Sequence, residues 1–112
     1  MAKRIKPPAI EITHGTTNVF ADLGYPDAEE RQTKLRLAYA INTIVGRMSQ
    51  AAAARALGVN QPKVSALAHY KLEGFSVERL MRFLTALGRD VEIVIRKKPR
   101  SRPSARINVL AA

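Results

Sequence analysis

Residues 49–67 read Ser-Gln-Ala-Ala-Ala-Ala-Arg-Ala-Leu-Gly-Val-Asn-Gln-Pro-Lys-Val-Ser-Ala-Leu, and this stretch predicts two short helices joined by a glycine turn. Ser49 is a favourable N-cap for the first helix, because its hydroxyl can accept a hydrogen bond from a backbone N–H that has no partner inside the helix. Gly58 can adopt a positive φ and end that helix. Asn60 is a second N-cap, and Pro62 falls in the first turn of the second helix, where its missing N–H costs little.

The side chains of the two predicted helices indicate how they pack. Ala53 and Ala54 are small where the second helix crosses the first. Four apolar residues would pack against the rest of a domain: Leu57, Val59, Val64 and Leu67. Four small or polar residues of the second helix would face away from it: Gln61, Lys63, Ser65 and Ala66. This is the helix-turn-helix arrangement, which places a recognition helix in the DNA major groove. An ordinary helical hairpin in an all-α domain is the alternative.

Length and composition indicate a single domain with tails. The chain has 112 residues, and its apolar content of 46% is sufficient for a compact core. Because the sequence contains no Cys, disulfides and thiolate metal sites are excluded. No apolar run approaches the ~20 residues of a membrane span, and two prolines stand where a signal peptide would have its apolar stretch. We therefore expect a cytoplasmic protein.

The charge of the chain is strongly positive and unevenly distributed. The net charge is +10, from 19 Lys and Arg residues against 9 Asp and Glu residues. A large share lies in residues 96–112, which contain no acid and carry Arg96, Lys97, Lys98, Arg100, Arg102 and Arg106. Such a segment attracts polyanions through counterion release without reading sequence. The alternative is a solvated tail that only aids solubility.

Upstream of the central stretch, the sequence predicts an arm followed by two helices. Residues 1–17 form a partly disordered N-terminal arm with a short strand at Ile10–Thr13. A short helix is expected at Val19–Leu23, and a long helix from about Ala28 to about Arg47, whose acidic first turn suits the helix dipole. The spacing of apolar residues predicts the buried stripe of the long helix: Leu37, Ile41, Ile44, Val45 and Met48.

Downstream, the sequence predicts one more helix and a strand. Ser76 is the N-cap of a helix that ends at Gly88 and buries Leu80, Phe83, Leu84 and Leu87. The β-branched run at residues 91–95 predicts a strand with Val91, Ile93 and Ile95 on one face. A lone strand leaves its backbone groups unpaired, so it needs a partner, either Ile10–Thr13 or the same strand of a second subunit. We predict these three residues as a dimer contact, and a domain over residues 18–95 followed by a basic tail at 96–112.

Residues 50–69 resemble the helix-turn-helix pattern of the Cro/repressor-like (XRE) family, which has small, turn and apolar residues at the positions of Ala54, Gly58, Val64 and Leu67. Five segments are similar to a narrower group, the HigA-like antitoxins of toxin–antitoxin operons: residues 18–24, 61–67, 74–76, 80–84 and 90–94. Together the resemblance covers about residues 18–95. It implies a mainly α, lambda-repressor-like bundle of about four to five helices with a short C-terminal β-strand.

The same resemblance implies a set of DNA contacts. In repressors of this kind a Gln at the position of Gln50 touches phosphate, and one at the position of Gln61 reads adenine. The chemistry agrees, since a Gln amide can pair bidentately with adenine N6 and N7. Lys63 could reach guanine or phosphate, and Ala66 a thymine methyl. The predicted DNA-binding residues are Ser49, Gln50, Asn60, Gln61, Pro62, Lys63, Ser65, Ala66, His69 and Lys71. Of these, His69 and Lys71 are weaker phosphate candidates, as is Arg55.

Enzymatic chemistry has little support in the sequence. The two histidines, His14 and His69, are far apart, and no further ligands stand at metal-binding spacing. No Gly-rich phosphate loop is present. We therefore expect no catalytic residues, no metal and no cofactor.

Several functions remain open from the sequence. The first is a sequence-specific, dimeric transcriptional regulator on a pseudo-palindromic operator. The resemblance adds the role of an antitoxin that represses its own operon and neutralises a small ribonuclease toxin, and a stand-alone XRE-type repressor is the alternative. A protein-interaction module that reads no DNA, and a non-specific polyanion binder led by the basic tail, are the hypotheses from other classes.

Overall fold

The computed structural model describes residues 27–111. Over these residues the secondary structure consists of four helices: α1 at Ala28–Val45, α2 at Gln50–Leu57, α3 at Gln61–Ala68 and α4 at Val77–Ala86. The mainly helical fold predicted from the sequence is thereby confirmed. The predicted N-terminal arm, the strand at Ile10–Thr13 and the helix at Val19–Leu23 lie outside the described residues.

The chain divides into two compact units. One unit comprises residues 34–91, which hold most of α1 together with α2, α3 and α4. The described part of the other unit comprises residues 27–33 and 92–111. No helix among the described residues is long and apolar enough to cross a membrane.

The caps predicted for α2 and α3 are present. The Oγ atom of Ser49 accepts a hydrogen bond from the N–H of Ala52 at 3.1 Å, and the Oδ1 atom of Asn60 accepts one from the N–H of Lys63 at 3.0 Å. Between them, Gly58 has a φ of 72°, in the left-handed region that favours glycine. The tight connection of α2 to α3 is therefore encoded by these local residues.

Helix α4 follows the same local rules. The Oγ atom of Ser76 accepts a hydrogen bond from the N–H of Arg79 at 3.0 Å. The helix ends at Ala86, and Gly88, with a φ of 82°, lies where the N–H groups of Gly88 and Arg89 close its last turn by bonds to the carbonyls of Thr85 and Leu84. Both predicted boundary residues of this helix are confirmed.

The core of the unit 34–91 is aliphatic with two aromatic rings. Helix α2 packs against both α3 and α4. Ile41 of α1 and Leu80 of α4 are fully buried, and Leu67 of α3 is 1% exposed. The other buried apolar residues of this unit are Leu37, Ala38, Val45, Ala53, Ala54, Leu57, Val64, Phe75, Phe83 and Leu84.

The predicted buried stripe of α1 is wrong at its end. Leu37, Ile41 and Val45 are buried, whereas Ile44 is half-buried and Met48 is exposed. The helix stops at Val45, so Met48 no longer follows the helical spacing that would bury it. Gly46 marks this end: a Cβ atom there would lie only 2.7 Å from the carbonyl oxygen of Asn42.

The predicted β-strand at residues 91–95 is wrong for the described chain, where these residues form no strand. Val91 is half-buried, and the side chains of Ile93 and Ile95 are 74% and 91% exposed. The physical reason is that a strand is stabilised by pairing with a neighbour. The β-branched residues alternate as in a strand, but no segment among the described residues pairs with them.

The basic tail forms a turn followed by an anchored segment. The N–H of Arg102 donates to the carbonyl of Pro99 at 3.3 Å, and the Nζ atom of Lys98 donates to the carbonyl of Arg102 at 2.9 Å. Farther on, the N–H of Ile107 donates to the Oε2 atom of Glu29 at 2.7 Å. The segment from residue 98 to 107 thus closes a turn at its first end and is bonded to Glu29 of α1 at its last.

Candidate nucleic-acid interface

The candidate interface is the face of α3 that points away from the core. Val64 and Leu67 are buried and fix the inner face of this helix. Gln61 and Pro62 at its N-terminus are exposed, while Ser65 and Ala66 are half-buried. Helix α3 therefore offers polar and small side chains on one side and anchors itself with apolar side chains on the other.

The two glutamines that the family resemblance singles out are accessible. Gln50 begins α2 and Gln61 begins α3, and both side chains are exposed. In the part of the chain that the structure describes, neither amide makes a hydrogen bond. Each amide therefore keeps both its donor and its acceptor for a ligand.

Ser49 and Asn60 act first as helix caps, through the bonds described above. Each is exposed and retains donor atoms that the cap does not use: the hydroxyl hydrogen of Ser49 and the amide NH2 of Asn60. A cap residue of this kind can also donate to a phosphate without leaving its helix.

The C-terminal end of α3 carries three exposed residues. The Nδ1 atom of His69 lies 2.9 Å from the carbonyl oxygen of Ser65, within hydrogen-bonding distance, and the ring lies along the helix. Tyr70 has a φ of 58°, a conformation that is unusual for a bulky residue. Lys71 follows, and its N–H donates to the carbonyl of Ala66 at 2.9 Å, which closes the helix.

A hydrogen bond between distant parts of the chain positions α3. The Nδ2 atom of Asn42, in the last turn of α1, donates to the carbonyl oxygen of Leu67 at 2.9 Å. This contact was not predicted from the sequence. In the sequence, the contact is indicated only by a polar residue that follows Ile41 in a largely apolar part of the helix.

Lys63 is not freely extended from α3. Its Nζ atom lies 5.2 Å from the centroid of the Phe75 ring, in the segment between α3 and α4, and a Cβ atom added at Gly74 would lie 3.6 Å from it. The side chain is half-buried as a result. Lys63 is among the DNA-binding residues predicted from the sequence, but its contact with Phe75 could not be predicted there.

Among the described residues, no group of three or more His, Cys, Asp or Glu side chains is arranged to hold a metal ion. The side chains on the outer face of α3 can donate and accept hydrogen bonds, and that of Lys63 carries a positive charge. Such a face suits recognition of a nucleic acid by base edges and phosphates.

Residues 19–96 match a family model described as a helix-turn-helix domain, which is more than half of the chain. The chain belongs to the helix-turn-helix domain family. A solved structure named "Putative XRE Family Transcriptional Regulator" is 75% identical, with a TM-score of 0.74; the match covers 78% of this chain and 100% of that one. Comparison with curated proteins gave no match. The XRE resemblance of this helix-turn-helix protein is thus confirmed, whereas the HigA-like subgroup is not shown.

Proposed function

We propose that this protein is a sequence-specific DNA-binding transcriptional regulator whose helix α3 enters the major groove. The observation that carries the proposal is the exposed N-terminal end of α3, where Gln61 stands without a hydrogen-bond partner among the described residues. The name of the 75% identical structure supports the same class of function.

In this proposal the two glutamines have different tasks. Gln61 pairs with N6 and N7 of an adenine and so discriminates between base pairs, at about 1–3 kcal/mol for a good bidentate pair. Gln50 and the backbone N–H groups at the start of α2 bind phosphate, which fixes the register on DNA without reading sequence. Ser65 is short enough for a base edge or a phosphate, and Ala66 contacts a thymine methyl.

The proposed regulator acts as a homodimer. A single helix-turn-helix reads only a few base pairs, so two copies would lie about 34 Å apart on a pseudo-palindrome. Residues 91–95 support this proposal, because Ile93, Val94 and Ile95 are strongly exposed apolar side chains. Two-fold pairing of this segment with a second copy would give its backbone groups the partners that a β-strand requires.

The finer proposal is an antitoxin that represses its own operon and silences a small ribonuclease toxin. Its support is the similarity of five segments over residues 18–95 to HigA-like antitoxins. A stand-alone XRE-type repressor is the alternative. A toxin-like reading frame beside the gene, whose product co-purifies with this protein, would favour the antitoxin.

The proposal is tested by titrating the protein against DNA from upstream of its own gene and against scrambled DNA, at two salt concentrations. We expect a preference for the native sequence of about 10³-fold or more, lost in part in Gln61→Ala. The matched control is Gln50→Ala, which should lower the affinity for both DNAs by the same factor. Equal affinities that fall together as salt rises would contradict sequence reading and leave the basic tail as the binding element.

A further inference from the structure

Two cations from different helices lie at one aromatic ring. Phe75 is 2% exposed and packs edge-on against Phe83, with ring centroids 5.9 Å apart. The Nζ atom of Lys63 lies 5.2 Å from the Phe75 centroid, and the Cζ atom of Arg79 lies 5.5 Å from the centroids of both rings. The ring pair therefore fixes where both positive charges stand, since cations are attracted to aromatic faces.

Neither cation has an acidic partner among the described residues. Other basic side chains do: Arg82 is paired with Glu78 at 2.9 Å. Glu78, the acid next to Arg79 in sequence, is thus occupied by Arg82 instead. The protein thus holds two positive charges at one ring with no acidic partner for either among the described residues, and such a pair attracts an anion.

The position of both cations within their helices is also unfavourable without a ligand. Lys63 is the third residue of α3 and Arg79 the third residue of α4, and the backbone N–H of each is bonded to its N-cap. A helix N-terminus carries partial positive charge and stabilises anions, whereas cations are favoured at the opposite end. Two cations at two helix starts are therefore misplaced for stability and well placed for binding an anion.

We propose that Lys63 and Arg79 form a two-cation clamp for one DNA backbone phosphate, positioned by Phe75. The proposal deepens the proposed function: Lys63 contacts the backbone rather than guanine, and Arg79 is an additional DNA contact. Lys supplies a compact charge and Arg a planar fork, which together suit phosphate oxygens. Base reading is then left to Gln61 and its neighbours on α3.

The test compares salt dependence for variants that remove one charge while keeping an apolar side chain. The slope of log K against log salt is negative, and Lys63→Met and Arg79→Met should each reduce its magnitude by about 1. This corresponds to about tenfold weaker binding near 0.1 M salt. The loss should be equal for native and scrambled DNA. Arg89→Met is the matched control: Arg89 lies beyond the C-terminal end of α4, its side chain bonds only to the carbonyl of Leu87 among the described residues, and its removal should leave the slope unchanged.

A second pair of variants tests the clamp without removing either cation. Gly74→Asp places a carboxylate beside Lys63, since the added Cβ atom would lie 3.6 Å from Nζ. We expect the same uniform loss of affinity, while Gly74→Ser, which adds a side chain without charge, should bind as wild type does.

The outcomes separate the two proposals. A changed preference at one base pair in Lys63→Met with an unchanged slope would assign Lys63 to base reading and overturn the clamp. An unchanged slope in Arg79→Met would overturn it as well. If wild type binds native and scrambled DNA equally, sequence reading fails, while the slopes of the variants still decide whether the clamp binds phosphate.

Discussion

The hydrogen bond between Asn42 and Leu67 connects α1 to the C-terminal end of α3, and its removal is expected to loosen that helix. We consider Asn42→Asp, which keeps the size of the side chain but loses the Nδ2 donor. The Leu67 carbonyl keeps one other bond, from the N–H of Tyr70 at 3.1 Å, so it is not left bare. The lost bond is worth about 0.5–1.5 kcal/mol, and repulsion between the new carboxylate and the carbonyl adds to it.

The matched control is Thr43→Asp on the neighbouring residue. It introduces the same charge into the last turn of α1, where the helix dipole disfavours an anion by about 0.3–1 kcal/mol. The Thr43 hydroxyl bonds only within its own helix, to the carbonyl of Tyr39, and the residue is exposed. The difference between the two variants therefore isolates the contact with α3, and we expect Asn42→Asp to be less stable by about 1–2 kcal/mol.

Urea denaturation with linear extrapolation measures this difference in the free energy of unfolding. The melting temperature should fall by about 4–8 °C for each kcal/mol lost in a domain of this size. The pH dependence gives an independent check. A carboxyl facing a carbonyl favours its protonated form, which can donate, so its pKa rises in the folded state. The destabilisation is then full above that raised pKa and disappears as pH falls below the ordinary Asp range. Equal stability of the two variants at neutral pH would refute this account of how α3 is held.

Three further predictions concern separate features. Tyr70→Gly should raise the free energy of unfolding by about 1 kcal/mol in a urea titration, because the φ of 58° is strained for tyrosine, and a loss of stability would contradict that strain. Ala53→Leu should destabilise by about 1–3 kcal/mol by the same assay, because Ala53 is 1% exposed, whereas Leu at the exposed Ala51 should change little. Ile93→Lys should shift the sedimentation coefficient from that of a dimer to that of a monomer, since it places a charge in the proposed paired segment. Glu92→Lys, on the opposite face of that segment, should leave the dimer intact. A monomeric wild type would contradict the dimer proposal.

The parts of the fold that could be predicted from the sequence are those that depend on neighbours along the chain. Ser49, Asn60 and Ser76 each cap a helix by accepting a bond from an N–H three residues later, so a short window contains all the information. Gly58 and Gly88 follow the same logic, because the conformation they permit is a property of the residue itself.

The parts that could not be predicted depend on residues far apart in sequence or on a missing partner. Asn42 bonds to a carbonyl 25 residues away, and nothing local distinguishes it from any other polar helix residue. The segment at residues 91–95 has the alternation of a strand but no partner among the described residues. For the candidate site, the resemblance predicts a set of DNA-contacting residues. It does not give the positions of Lys63 and Arg79 at the Phe75 ring, because these arise from tertiary packing.

The bond between Glu29 and Ile107 changes what the basic tail can do. A free chain of the 16 residues from 92 to 107 would explore a radius of about 20–24 Å, and its cations would capture DNA at a distance. With Ile107 bonded to Glu29 and the chain closed into a turn at Lys98, this segment has a shorter reach than a free chain. Its cations then stay close to the start of α1. In the proposed regulator, cations placed in this way would raise the rate of encounter with DNA that is already near, without extending the capture radius of the protein.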